Sequence, residues 1–277
     1  MNMVTFPDGE SVPAFGQGTW MMGEDRARRG EEIATLQAGV DGGAGLIDTA
    51  EMYGDGAAET LIAEALGDRR DEIFLVSKVY PQNASRAGVV AACERSLRRL
   101  KTDRLDLYLL HWRGSIPLAE TVAGFERLIA DGKIRRWGVS NFDPSDMEEL
   151  QAVPGGKACA SNQVLYNLTR RGIEWDLLPA AQDAGMPIMA YSPIERAVLA
   201  DHAGLRKLAD GLGVTASMLA LAWVLDQKGV IAIPKTSSRK HLADNLKSRD
   251  IKLTDEVRAE IDRLFPPPRR ATSLQML

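Results

Sequence analysis

The chain has 277 residues, 45% apolar and 26% charged, the proportions of a folded globular protein rather than a disordered one. Its 34 Lys and Arg face 38 Asp and Glu for a net charge of −4, which leaves no positive surplus for a phosphate backbone and excludes nucleic acid as an expected partner. Apolar runs such as 107–110 fall far short of a membrane span, and the opening MNMVTFPDGE carries no basic-then-apolar leader, so a cytoplasmic, monomeric protein without a membrane partner is expected.

Cys93 and Cys159 are not at metal spacing and read as free thiols. His111, His202 and His241 are scattered, so no metal site is expected. The length suits a single barrel of about 250 residues, and no linker or low-complexity tract interrupts it. One domain over 1–277 is the expectation.

In chain order, 3–15 reads as a β-hairpin, because Val-Thr-Phe and Ser-Val flank the turn-forming Pro7-Asp8-Gly9. Short β-like runs follow at 15–18, 46–48, 73–78, 105–111, 134–140, 158–163, 187–191 and 230–235. Between them lies helical periodicity. Leu61, Ile62, Ala65 and Leu66 mark one face of 59–66, and Val89, Val90, Cys93, Leu97 and Leu100 form a stripe on 89–100. Gly42-Gly43 and Gly132 stand where helices would stop. From Asp48 to Lys235 the strand ends recur about every 31 residues, the size of one βα unit. Eight such units predict an α/β fold: a (β/α)8 TIM barrel with an N-terminal β-hairpin and extra helices near the C-terminus. Asp41-Gly-Gly-Ala-Gly45 follows a helix and precedes a strand, the reverse of a dinucleotide fingerprint.

In such a barrel the chemistry lies where strands finish. Those positions hold Asp48, Lys78, His111, Ser140-Asn141, Asn162-Gln163, Tyr191-Ser192 and Lys235-Thr236. A strand must end somewhere and loops are polar, so each residue alone carries little weight; their convergence on one mouth carries more. The loop after 46–48 adds Tyr53. A phenol near pKa 10 is a poor acid at neutral pH, but an adjacent lysine ammonium favours its anion, and Asp48 can serve as counter-ion to that lysine. With His111 to hydrogen-bond a substrate oxygen, Asp48, Tyr53, Lys78 and His111 form a set able to protonate a carbonyl oxygen. Lys235-Thr236-Ser237-Ser238 opens a helix running to about Lys247, and hydroxyls with a lysine at a helix N-terminus suit a phosphate.

The motifs GQGTW (16–20), LIDTAEMYGDGAAE (46–59), FLVSK (74–78), LDLYLLHW (105–112), GKIRRWGVSN (132–141), NQVLYN (162–167), AYSP (190–193) and IPK (233–235) occur in order along the whole chain, which resembles the aldo-keto reductase family. GQGTWMMGED, VSKVYPQNA, LYLLHWRGS and KIRRWGVSN are most similar to a bacterial methylglyoxal-reductase branch. The resemblance implies hydride transfer from NADPH to an aldehyde or ketone. Tyr53 would be the proton donor, tuned by Lys78 and Asp48, and His111 would orient the carbonyl. Ser140, Asn141 and Gln163 would hold the nicotinamide carboxamide, with Tyr191 stacked on the ring and Gly18, Thr19 and Ser192 among the cofactor contacts. Lys235, Thr236 and Ser238 would grip the 2′-phosphate of NADP, and Asp244 and Asn245 would meet the adenine. His241 stands where relatives carry arginine, so NADPH is expected to be preferred less strongly and NADH tolerated.

Trp20 and Trp112 are expected to wall the substrate pocket, with Met22 and Tyr80 as further candidates. Arg113 is a candidate attractor of anionic or dicarbonyl substrates, and Arg269 and Arg270 candidates to close over the mouth. Small aldehydes and α-dicarbonyls are the expected substrates. Two other readings stand beside this one: a Schiff-base aldolase using Lys78 or Lys235, disfavoured by Asp48, and a cofactor-sensing barrel with little turnover, disfavoured by the full tetrad and the absence of any added domain.

Overall fold

The computed structural model describes residues 2–277. The hairpin forms from β1 (Met3–Thr5) and β2 (Ser11–Pro13), antiparallel with Val4 opposite Val12. The barrel strands are β3 (Gly16–Gly18), β4 (Leu46–Asp48), β5 (Phe74–Val79), β6 (Leu105–Leu110), β7 (Ile134–Ser140), β8 (Asn162–Leu165), β9 (Ile188–Tyr191) and β10 (Val230–Ala232). All pair in parallel with their sequence neighbours. Parallel bridges from Phe15 to Ala232 and from Gly18 to Lys235 close the ring between β10 and β3. A Cβ on Gly18 would lie 2.9 Å from the Ile233 carbonyl oxygen, so this seam requires glycine there.

Helices α1 (Arg29–Asp41), α2 (Ala57–Leu66), α3 (Arg86–Leu100), α4 (Leu118–Ala130), α5 (Pro144–Ala152), α6 (Leu177–Asp183), α7 (Ala203–Gly211), α8 (Ala216–Leu225), α9 (Arg239–Lys247) and α10 (Asp255–Leu264) complete the chain. The expected extra helices are present: two lie between β9 and β10, and α10 follows α9. Ser85, Asp143, Thr215, Ser238 and Thr254 each accept a backbone N–H at a helix start, meeting donors that otherwise have no partner in the helix. No single helix among the described residues is long and apolar enough to cross a membrane.

The strands are buried on both faces, as a helix-covered parallel sheet requires. Outside the barrel, Trp137 of β7 stacks on Phe125 of α4 at 5.3 Å, and Tyr108 of β6 meets that phenyl edge-on. The hairpin covers the N-terminal end of the strands. Phe6 stacks on Phe74, and the buried Arg136 guanidinium lies over both rings while pairing with Asp8 and Glu10.

Two predicted strands shift. The 158–163 run becomes β8 at Asn162–Leu165, because Gly156–Ala158 turns as a short 3-10 helix and the register follows β7, with Ser140 opposite Gln163. Gln163 is therefore within its strand, not at its end. The 230–235 run stops at Ala232, since Pro234 has no N–H to donate; Lys235 rejoins the sheet only at its bridge with Gly18.

Candidate active site

Asp48 ends β4. The chain then turns through Gly54, Asp55 and Gly56, all at positive φ, a left-handed stretch that two glycines make accessible. Just before it, the Tyr53 N–H closes a turn on the Ala50 carbonyl at 3.1 Å, and Tyr53 there faces Lys78, which projects from β5. Lys78 Nζ lies 2.8 Å from Asp48 Oδ2, 2.9 Å from the Thr49 carbonyl oxygen and 3.2 Å from the Tyr53 hydroxyl. Its side chain is fully buried. An ammonium has three hydrogens, and these partners take all of them. Lys78 is consequently no free amine nucleophile.

Burial alone would favour loss of the Lys78 proton, but Asp48 and Tyr53 outweigh it and hold the ammonium above its ordinary pKa. Tyr53 departs from expectation. Burial raises its pKa and Asp48 adds to the rise; Lys78 pulls it down, as expected, without prevailing. The phenol is therefore a fully loaded acid at neutral pH rather than a partly ionised one. His111 follows β6 directly, its ring edge-on to Tyr53 at 5.9 Å between centroids. Burial, and then the charge of Lys78, push its pKa down to about 2. It is a neutral imidazole. Its Nδ1 is buried without a partner, leaving Nε2 as the nitrogen with access to a ligand.

Gln163 joins this group from the opposite side of the barrel. Its Nε2 donates to Asp48 Oδ1 at 2.8 Å, so both Asp48 oxygens are engaged. Ser140 donates its hydroxyl to the Gln163 carbonyl, and Asn141 Nδ2 donates to Ser140 Oγ and the His111 carbonyl. The Tyr191 hydroxyl donates to Asn141 Oδ1 at 3.0 Å. These four residues and the tetrad thus form one connected cluster. Ser192, at positive φ, accepts Asn167 Nδ2 on its carbonyl. Lys235 and Thr236 are half-buried at the seam, Ser238 caps α9, and His241 is exposed on its first turn. Further along α9, Asp244 is half-buried and Asn245 buried.

Several of the expected contacts also carry structural tasks. The buried Thr19 gives its hydroxyl and its N–H to the Asp48 carbonyl, which ties it to the tetrad. Gly18 serves the barrel seam. Met22 is buried in the core, not in a pocket wall. Arg113 pairs with Glu149 at 2.8 Å and donates to the Ile116 carbonyl, which removes it as a free attractor of anions. Trp20 is exposed, and Trp112 packs between His111 and Tyr80. Arg269 and Arg270 are exposed, while Thr272–Gln275 lie in a cleft with Leu165, Arg170 and Leu177.

Glu51 was not singled out from the sequence. Buried two residues before Tyr53, it accepts the Tyr80 N–H and the Asn83 amide at 2.9 Å each and pairs with Arg95. It thereby ties the Tyr53 turn to the segment after β5 and to α3. Its position inside LIDTAEMYGD was the available signal.

Residues 14–265 match the model of the aldo/keto reductase family. The chain is 51% identical to methylglyoxal reductase YeaE of Escherichia coli, covering 99% of each chain, and 32% identical to a glyoxal reductase of Bacillus subtilis, covering 94% and 92%. Its fold superposes with a TM-score of 0.97 on an aldo/keto reductase of Klebsiella pneumoniae crystallised with NADP and acetate, at 51% identity and 99% coverage of both chains. A crystal structure from the same organism with NADPH gives the same TM-score and identity over 100% of both.

Proposed function

Because the chain belongs to the aldo/keto reductase family, we propose that it reduces methylglyoxal and related small aldehydes and α-dicarbonyls to alcohols, with Tyr53 delivering the proton. It is an NADPH-dependent oxidoreductase acting on carbonyl groups. The substrate rests on the 51% identity to a methylglyoxal reductase. The role of Tyr53 rests on the buried contact of its hydroxyl with Lys78 Nζ.

The donor set fits a nicotinamide carboxamide. Gln163 gives its N–H to Asp48 and keeps Oε1 to accept; Ser140 Oγ retains a lone pair. Asn141 must exchange one of its two present acceptors to donate to the carboxamide oxygen. Tyr191, half-buried beside Asn141, offers an aromatic face. When bound, the nicotinamide supplies a hydride to the carbonyl carbon. His111 Nε2–H would hydrogen-bond the carbonyl oxygen and hold it beside Tyr53. As negative charge gathers on that oxygen, Tyr53 gives up its proton, and Lys78 stabilises the phenolate left behind. Asp48, fixed by Gln163, keeps Lys78 charged throughout. Hydride acceptance and proton transfer so divided avoid a free alkoxide.

NADPH absorbance followed with methylglyoxal tests this reading. One NADPH consumed per alcohol formed, with sustained turnover, is expected. Tight NADPH binding without turnover on any of a panel of small aldehydes and dicarbonyls would contradict it and favour a cofactor-sensing role.

A further inference from the structure

β4 and β5 pair in parallel with Asp48 opposite Val76, and the pairing outlasts β4 itself. The Thr49 N–H donates to the Val76 carbonyl at 2.9 Å and the Glu51 N–H to the Lys78 carbonyl at 3.3 Å. Continued in this register, Glu51 stands opposite Val79. The next bond of a parallel ladder would run from the Tyr80 N–H to the main-chain carbonyl of Glu51. It runs instead to the Glu51 carboxylate, whose Oε1 accepts that N–H at 2.9 Å. A side chain thus takes the place of a backbone carbonyl. The main chain after Glu51 leaves the sheet for the turn that the Tyr53 N–H closes on the Ala50 carbonyl.

Tyr53 lies two residues beyond Glu51, and Lys78 two residues before Tyr80. One buried carboxylate therefore joins the two segments that carry the phenol and the ammonium, 3.2 Å apart. Its oxygens divide the work. Oε1 also accepts Asn83 Nδ2 at 2.9 Å, while Oε2 takes Arg95 of α3 at 3.2 Å. An amide could keep the first set of bonds while losing the second. Tyr80 in turn meets Trp112 edge-on at 5.8 Å, and Trp112 lies 4.9 Å from His111, which extends the tie to the imidazole.

We propose that Glu51 is the positioning residue of the acid pair: standing in for its own main-chain carbonyl, it fixes the turn that carries Tyr53 against the strand that carries Lys78 and sets where the proton is delivered. This rests on the reading of Tyr53 as the proton donor. Glu51 acts only through Tyr53 and Lys78, and the Ser140, Asn141, Gln163 and Tyr191 bonds do not pass through it.

The test is the rate of hydride transfer to methylglyoxal in single turnovers of the NADPH-loaded enzyme, beside the Kd for NADPH from fluorescence and the stability to urea. Glu51→Ala removes the tie and is expected to slow hydride transfer about 100-fold, the scale of a misplacement of about 1 Å, with the Kd for NADPH unchanged. Glu51→Asp keeps the charge but draws the carboxylate back by a methylene, and should slow the step too; it carries the test if the alanine variant does not fold. Glu51→Gln combined with Arg95→Met keeps the Oε1 acceptor without either charge and should restore most of the rate. Glu59→Ala is the structural comparison. That carboxylate is buried between Ser77 of β5 and Arg99 of α3, at 2.8 and 3.1 Å, and its loss should lower stability while sparing hydride transfer. Natural rates in Glu51→Ala or Glu51→Asp overturn the proposal. So does a double variant as slow as Glu51→Ala, which would give the effect to the charge pair, or an equal loss in Glu59→Ala, which would make it one of general loosening. Hydride transfer at the natural rate in Tyr53→Phe would instead overturn the proton-donor reading itself.

Discussion

Replacing Tyr53 with phenylalanine is expected to lower kcat for methylglyoxal by about two to four orders of magnitude, the usual contribution of a positioned proton donor, with the Kd for NADPH held near its original value. Only one oxygen is removed. The Tyr53 hydroxyl is 3.2 Å from Lys78 Nζ, and the Ser140, Asn141, Gln163 and Tyr191 bonds do not pass through it. Lys78 keeps Asp48 and the Thr49 carbonyl as partners, so the ammonium stays in place and the fold loses little. Near-normal turnover in Tyr53→Phe would show that the proton comes from elsewhere.

Lys78→Met is expected to cost more than activity. The Asp48–Lys78 pair is fully enclosed at 2.8 Å. Removing one member of such a pair leaves a buried charge uncompensated, at about 3–5 kcal/mol, and the Thr49 carbonyl and Tyr53 hydroxyl lose a donor as well. Urea unfolding should show that loss, and reduction should fall at least as far as in Tyr53→Phe. Pairing Lys78→Met with Asp48→Asn removes both charges, so stability should largely return while activity does not. A single Lys78→Met variant as stable as the natural protein would mean that the enclosed Asp48–Lys78 pair does not hold the fold together.

Much of this site could be read from sequence for a simple reason. Strands buried on both faces are apolar throughout, so the first polar residue after each run, such as Asp48 or His111, marks where the chain emerges at the barrel mouth. The same logic misplaced Gln163. Ala158-Cys-Ala-Ser161 has strand-like composition, but pairing with Val139 and Ser140 sets where β8 begins. The Gln163–Asp48 bond spans 115 residues of chain, and no local pattern announces it. Burial was equally hidden: a lysine beside a tyrosine implies a lowered phenol pKa, whereas desolvation of Tyr53 reverses the sign. Thr19 and Met22 show the other limit, since nothing local announces that the hydroxyl of one bonds the Asp48 carbonyl or that the side chain of the other lies in the core.

The most direct test of Tyr53 as the acid is the rate of hydride transfer measured against pH in single turnovers of the NADPH-loaded enzyme. Tyr53 is held above the ordinary phenol range and His111 is pushed down to about 2. The rate should therefore be level from about pH 6 to 9 and fall only at strongly alkaline pH, as the phenol loses its proton. A fall through the histidine range between about pH 6 and 7, abolished by His111→Gln, would make His111 the acid and contradict the mechanism.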